Sequence, residues 1–327
     1  MKIKVGILGY GNLGKGIESE IKKCADMELV AIFTRRNPKS IKVNSNTKIV
    51  SIDEVEEWVD KIDVMVLCGG SATDLPVHTP KYAKLFNVID SFDTHVKISE
   101  HFKNVDEIAI KNNKVALISC GWDPGTFSLN RLMSECFLPN GNTYTFWGRG
   151  VSQGHSDAIR RIPGVKNAVQ YTIPKEDAVA RVRNSENPIL TVKDKHLRDC
   201  YVVLEENVNE KDIEEKIKTM PSYFAEYDTE VHFINEEELL KEHSRMPHSG
   251  FVIRSGKTGL NDNNDQIIEY SLNLGSNPEF TASVVLAYTR AVYRLSKQGE
   301  NGAKTIFDIA PSLLSPKTQE EIIKEYL

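Results

Sequence analysis

The chain has no run of about 18 consecutive apolar residues, so no segment reads as a transmembrane helix. Cysteines are few: Cys24, Cys68, Cys120, Cys136 and Cys200 among 327 residues. They are odd in number, scattered and without a C-x-x-C pair, which excludes a disulfide framework and a zinc-ligand pattern. Reduced thiols in a cytoplasmic protein are the expectation, and no metal site is expected. A surplus of positive charge is also missing. Lys and Arg total 41 against 46 Asp and Glu, a net charge of −5, with a pI near 6.0. That balance argues against a nucleic-acid-binding or membrane-surface protein. There is no internal repeat and no low-complexity tract. The first strand is expected from Lys2, which leaves no room for a signal peptide. The length predicts two domains, or one domain with a large insert, and 40% hydrophobic content is ample for their cores.

What is present is concentrated in the first forty residues. Lys2 to Leu8 is an apolar, β-branched run suited to a buried strand. It ends at Gly9-Tyr10-Gly11-Asn12-Leu13-Gly14, a G-x-G-x-x-G turn, and a helix to about Cys24 and a strand from Glu28 to Phe33 follow. In that setting Gly9 permits the tight turn, Gly11 lets a pyrophosphate approach the backbone, and Gly14 lets helix and strand pack closely. The helix N-terminus presents unpaired N–H groups to the phosphates. An acid that would hold a ribose 2′-hydroxyl is absent from the end of the second strand. Thr34, Arg35 and Arg36 stand there instead, which suits the 2′-phosphate of NADP. Charge-assisted contacts contribute about 1.5–3 kcal/mol each. Two of them would favour NADP over NAD by about a hundredfold or more. The competing reading of the two arginines is a solvated basic turn.

Strands and helices alternate to about residue 120, which predicts a Rossmann-type, doubly wound parallel sheet within an α/β fold. Its strand ends fall at Gly9–Gly14, Thr34–Arg36, Cys68–Thr73, Ser91–Asp93 and Cys120–Asp123. Ligands of such sheets bind outside the carboxyl ends of the strands, and Asp93 and Asp123 are the acids placed there. Beyond residue 125 the pattern changes to strands with few helices between them. An α+β unit with a mostly antiparallel sheet is expected. Domains are therefore expected at 1–122, for the dinucleotide, and 123–298, for substrate and dimerisation, with the tail 299–327 docking back on the first.

Several polar residues of the second part could carry chemistry. Trp147, Gln153 and Gly154 lie in a glycine-rich stretch that also reads as an ordinary strand-to-helix loop. Thr172 fits a strand residue. Arg198 fits a surface cation, His248 a lone turn histidine, and Asn277 a helix cap. Spacing alone promotes none of these four. Cys68 and Cys120 both end strands, but with no adjacent base they read as small apolar filling and not as nucleophiles.

Taken together, Gly9-Tyr-Gly-Asn-Leu-Gly14, Phe33-Thr-Arg-Arg36, Cys68-Gly-Gly-Ser-Ala-Thr-Asp74, Gly121-Trp-Asp-Pro-Gly125, Ser152-Gln-Gly-His-Ser-Asp-Ala158, Arg161-Ile-Pro-Gly-Val165, Met246-Pro-His248 and Asn277-Pro-Glu-Phe-Thr-Ala-Ser283 resemble the meso-diaminopimelate D-dehydrogenase family over essentially the whole chain. The resemblance implies a cytoplasmic homodimer. It implies reversible, NADP-dependent oxidative deamination of the D-centre of meso-2,6-diaminopimelate to L-2-amino-6-oxopimelate, ammonia and NADPH, in diaminopimelate and lysine biosynthesis. It places substrate on Asp93, Asp123, Trp147, Gln153, Gly154, Thr172, Arg198, His248 and Asn277. It places cofactor on Gly9, Tyr10, Gly11, Asn12 and Leu13, on Thr34, Arg35 and Arg36, on Cys68, Gly69, Gly70 and Ser71, on Ser91, Phe92 and Asp93, and on Cys120, Gly121, Trp122, Asp123 and Pro124. Asp123 and Asp93 are the expected catalytic acids. Another NADP enzyme of the same layout, resembling dihydrodipicolinate reductase or homoserine dehydrogenase, and a non-catalytic NADP(H)-binding protein are the alternatives.

Overall fold

The computed structural model describes residues 2–327. They form two compact units, one running to Leu129 and resuming over Pro278–Leu327, the other spanning Asn130–Asn277.

The first unit begins β1 (Ile3–Leu8), α1 (Asn12–Glu20), β2 (Met27–Thr34), β3 (Lys48–Ser51), β4 (Val64–Leu67), α2 (Leu75–Tyr82), β5 (Asn87–Asp90), α3 (Ile98–Lys111) and β6 (Val115–Leu117). These strands lie parallel in the order β3-β2-β1-β4-β5-β6. Every residue of β4 and β6 is buried. That is why they read as continuous apolar runs without alternation: both faces of a parallel sheet are covered. One face packs Ile7, Ile17, Val66, Ile89 and Leu117 together, and the other packs Leu8, Phe33, Met65, Tyr82 and Phe92. Ile52–Lys61 coils as a 3₁₀ helix that buries Val55 and rests Ile52, Trp58 and Val59, partly buried, on the core of Leu8 and Phe33. α2 starts at Leu75, with Pro76 in its first turn, where a missing N–H costs nothing.

The chain continues through α4 (Thr126–Phe137), β7 (Gly141–Trp147), β8 (Gly150–Val151), α5 (Gln153–Arg160), β9 (Val165–Pro174), α6 (Glu176–Arg183), α7 (Val192–Lys195), β10 (His196–Leu204), α8 (Glu210–Lys218), β11 (Asp228–Phe233), α9 (Glu236–Glu242), β12 (His248–Thr258) and β13 (Asn264–Leu274). The second unit holds two sheets, β11-β10-β9-β8 and the antiparallel β13-β12-β7. It is richer in helix than its sequence pattern suggests. Its helices are short, and Ile159 of α5 and Ile213 and Ile217 of α8 cover the first sheet at Cys200 and Val202. α8 also serves as the crossover that makes β10 and β11 parallel, while β9 and β10 run antiparallel.

The chain then returns through α10 (Asn277–Lys297), β14 (Gly302–Lys304), α11 (Pro311–Leu314) and α12 (Gln319–Tyr326). β14 extends the parallel sheet beside β6. A boundary at residue 298 assigns α10 to the second domain; its packing assigns it to the first unit. Ala282, Val285, Leu286 and Val292 join the core of Ile7 and Ile17. A Cβ on Gly16 would stand 2.8 Å from the Pro278 carbonyl, so α1 and α10 touch backbone to backbone there. Arg290 closes the contact with a two-pronged ion pair to Asp26 at 2.5 and 2.9 Å.

Candidate active site

In the first unit, the glycine turn has the conformation its residues predict. Gly9 has φ +100°, a region open chiefly to glycine. A Cβ on Gly14 would lie 2.3 Å from the Gly9 carbonyl oxygen, whereas one on Gly11 would meet nothing within 4 Å. Gly14 therefore seals helix to strand, and Gly11 leaves the backbone open. No side chain caps the first turn of α1. Beneath the turn, Tyr10 donates its hydroxyl to the fully buried Glu18, which also accepts from Ser45 at 2.5 Å. Burial alone would raise the Glu18 carboxyl, but these donors hold it below the ordinary carboxylate value. Burial and the Glu18 acceptor push the Tyr10 phenol up.

A cleft of about 400 Å³ opens before this turn, walled by Tyr10, Thr34, Arg35, Arg36, Cys68 and His78. Arg36 donates to the Tyr10 carbonyl at 2.8 Å, and its N–H donates to the Thr34 hydroxyl at 3.1 Å. Arg35 pairs with Asp74 at 2.9 Å, and Asp74 accepts the Gly70 N–H at 3.0 Å. The Gly70 N–H, with the guanidinium beside it, holds the Asp74 carboxyl low. The two arginines are thus anchored by different groups of the cleft wall. Neither anchor was visible in the spacing of the sequence.

The remaining strand-end loops of this unit are tied to one another. Ser71 accepts the Asp93 N–H at 2.6 Å. Trp122 is buried edge-on against Phe127 at 5.2 Å, while Asp123 is half-exposed and Asp93 exposed. Burial pushes the Cys68 and Cys120 thiols up, so neither is an activated nucleophile.

The second unit has its own cluster. Thr172 on β9 stands opposite Arg198 on β10, and Arg198 donates to the Thr172 hydroxyl. The guanidinium lies 3.9 Å over the Tyr227 ring and is 7% exposed. Among the described residues no carboxylate pairs with it, and its Nε has no hydrogen-bond partner. Gly150 is paired with Thr172, and a Cβ on it would sit 2.4 Å from the ring of the buried His248. Trp147, at the end of β7, donates its backbone N–H to His196 Nε2 at 2.9 Å. Gln153, at the exposed start of α5, reaches Met246 Sδ at 2.8 Å, and Met246 accepts the Asn277 N–H at 3.1 Å. Thr172, Arg198 and His248 are thereby joined through Gly150, and Gln153 to Asn277 through Met246. His196 and Tyr227, which support Trp147 and Arg198, were missed in the sequence. Only the fold makes them neighbours.

Residues 121–276 match the family model of the diaminopimelic acid dehydrogenase C-terminal domain, and residues 4–73 that of the coenzyme F420-dependent NADP oxidoreductases. The meso-diaminopimelate D-dehydrogenase of Ureibacillus thermosphaericus is 62% identical over 326 residues, covering 100% of this chain and 99% of the relative. The solved structure of C. glutamicum DAP dehydrogenase in complex with DAP matches with a TM-score of 0.92 at 44% identity, covering 100% of this chain and 99% of that one. An engineered D-amino acid dehydrogenase bound to NADP+ matches with a TM-score of 0.87 at 43% identity, over 100% of both chains. With identity of this order over the full length, and both halves of the chain matched, this chain belongs to the meso-diaminopimelate D-dehydrogenase family.

Proposed function

We propose that the chain catalyses the reversible, NADP-dependent oxidative deamination of the D-centre of meso-2,6-diaminopimelate, giving L-2-amino-6-oxopimelate, ammonia and NADPH, in diaminopimelate and lysine biosynthesis. The observation that carries this reading is Arg198. A guanidinium buried without a carboxylate partner is costly, because its desolvation is not offset. A substrate carboxylate supplies the missing charge, and the planar fork grips it bidentately. The Tyr227 ring beneath and Thr172 beside it hold the guanidinium ready.

The residues of the first unit fit NADP. Gly11 leaves room for a pyrophosphate, and the uncapped start of α1 offers N–H donors to it. Arg35, Arg36 and Thr34 supply the cationic and hydroxyl donors that a 2′-phosphate needs. Strand-end backbone over Cys68–Ser71, Ser91–Asp93 and Cys120–Pro124 completes the proposed cofactor contacts. Bound there, NADP+ would supply the acceptor for the hydride of the D-centre carbon.

Asp93 and Asp123 are assigned to the reacting amine. Before the hydride leaves, the ammonium must give up a proton, and Asp123, directly or through a water, accepts it. The amine lone pair then forms the C=N bond as the C–H bond breaks, water adds to that carbon, and ammonia departs. Trp147, Gln153 and Gly154 set which face of the carbon reacts, and so D over L. Arg198, Thr172, His248 and Asn277 hold the distal L-centre. A homodimer in the cytoplasm is part of the proposal. Among the described residues no helix is long and apolar enough to cross a membrane. The test is steady-state turnover of meso-diaminopimelate with NADP+ and with NAD+, beside homoserine. Turnover of the first substrate with strong NADP+ preference supports the reading. Turnover of homoserine instead, or NADPH binding with no amino-acid turnover, overturns it.

A further inference from the structure

We infer that Asp90, at the last position of β5, is the positioning residue that holds two strand-end loops, Ser91–Asp93 and Cys120–Asp123, in register. It is 1% exposed, and all the acceptor capacity of its carboxylate is used. Oδ1 accepts the Phe92 N–H at 3.0 Å and the Ser119 N–H at 2.8 Å. Oδ2 accepts the Thr79 hydroxyl at 2.7 Å and faces His101 Nε2 at 2.8 Å. The Asp90 carbonyl additionally accepts the Cys120 N–H at 2.9 Å. One residue thus binds Phe92 inside the first loop and Ser119 and Cys120 at the entry to the second, and ties them to α2 through Thr79 and to α3 through His101. The His101 ring stacks on Phe92 at 4.3 Å, which clamps the first loop from its side chain as well.

Ser119 shows why a tether is needed there. Its φ is +56°, a left-handed conformation that non-glycine residues adopt at a cost. The bond from its N–H to Oδ1 holds that turn, which redirects the chain into Cys120–Asp123. Asp90 itself cannot act on substrate, since it is enclosed and both oxygens are occupied. Its effect runs through Asp93 and Asp123, and in that respect the inference rests on their proposed roles.

The test uses the full-length enzyme with four variants: Asp90→Asn, Asp90→Ala, His101→Gln and His101→Leu. Gln retains an N–H donor close to that of His Nε2, and Leu does not. Four readouts are taken: kcat, KM for meso-diaminopimelate, melting temperature, and amide exchange of peptides covering 91–93 and 119–123. Misplacing reacting groups by about 1 Å lowers turnover by about a hundredfold. Asp90→Ala, and Asp90→Asn to a lesser degree, are expected to lower kcat more than they raise KM, with faster exchange in both loops. His101→Gln is expected to keep kcat near the parent value, and His101→Leu to lose it. The inference is overturned if folded Asp90→Asn matches the parent in both kcat and loop exchange, or if every loss of kcat follows the melting temperature alone, Gln and Leu alike. Loop exchange is independent of turnover. An inactive parent enzyme would therefore count against the proposed function, while exchange in Asp90→Asn would still decide the tether.

Discussion

The backbone N–H of Trp147 donates to Nε2 of His196 at 2.9 Å, and the two rings stack at 5.4 Å and 30°. The bond requires Nε2 to be unprotonated. Burial, with Lys195 and Arg198 nearby, lowers His196 to about 3 and so keeps it an acceptor at any working pH. His155, depressed to about 4 chiefly by burial, is also neutral.

These two histidines predict acid sensitivity. Unfolded histidine titrates near 6.5. As pH falls below that value the unfolded chain takes up protons that the folded chain refuses. Stability is therefore complete above about 6.5 and declines toward the folded values, by about 1.4 kcal/mol per pH unit for each group. Urea midpoints measured between pH 7 and pH 5 should fall, and His196→Gln should flatten the decline. A midpoint constant over that range would contradict the buried neutral state.

Arg198→Leu should separate binding from folding. Two charge-assisted bonds at about 1.5–3 kcal/mol each correspond to a rise of about a hundredfold or more in KM for meso-diaminopimelate, with KM for NADP+ little changed. The ligand-free variant should melt no lower than the parent, because an unpaired buried charge has been removed. Calorimetry without substrate checks this; a large drop in melting temperature would show that Arg198 is a structural member of the core.

Arg35→Ala with Arg36→Ala should erase the discrimination between NADP+ and NAD+. The expected loss is about a hundredfold in kcat/KM for NADP+, with NAD+ much less affected. Arg36 also holds the Tyr10 carbonyl, so its single replacement should loosen the glycine turn and weaken both dinucleotides slightly. Arg35 should affect NADP+ alone.

Gly150→Ala should damage substrate binding while sparing the cofactor. The new methyl would fall 2.4 to 2.6 Å from three ring atoms of His248, so the ring must move. A raised KM for meso-diaminopimelate with an unchanged dissociation constant for NADPH is expected. Equal kinetics in parent and variant would place His248 outside the substrate site.

Asp123→Asn should lower kcat by about a hundredfold or more if the carboxylate takes the proton of the amine. Initial rates across pH at saturating substrate decide it. An unchanged kcat with a raised KM would make Asp123 an anchor.

The glycine turn, the run of parallel strands and the arginine pair were legible in the sequence because each is local. A strand buried on both faces must be apolar throughout, and a backbone that approaches phosphate must lack side chains. The second unit was less legible. Its helices are short, and α5, α6 and α8 are amphipathic over only eight or nine residues, so their stripes resemble loop sequence.

By itself the sequence determined the parallel, doubly wound topology with its glycine turn, the arginine pair at the end of the second strand and the family, since these reside in contiguous motifs. The tertiary structure decided which distant residues serve them. It placed Tyr227 under Arg198, His196 against Trp147, Asp90 between two loops, and α10 in the core of the first unit. Each depends on burial and on partners 29 to about 280 positions away in the chain. A buried cation or carboxylate takes its meaning from the groups around it, and those are chosen by packing, which no local pattern records.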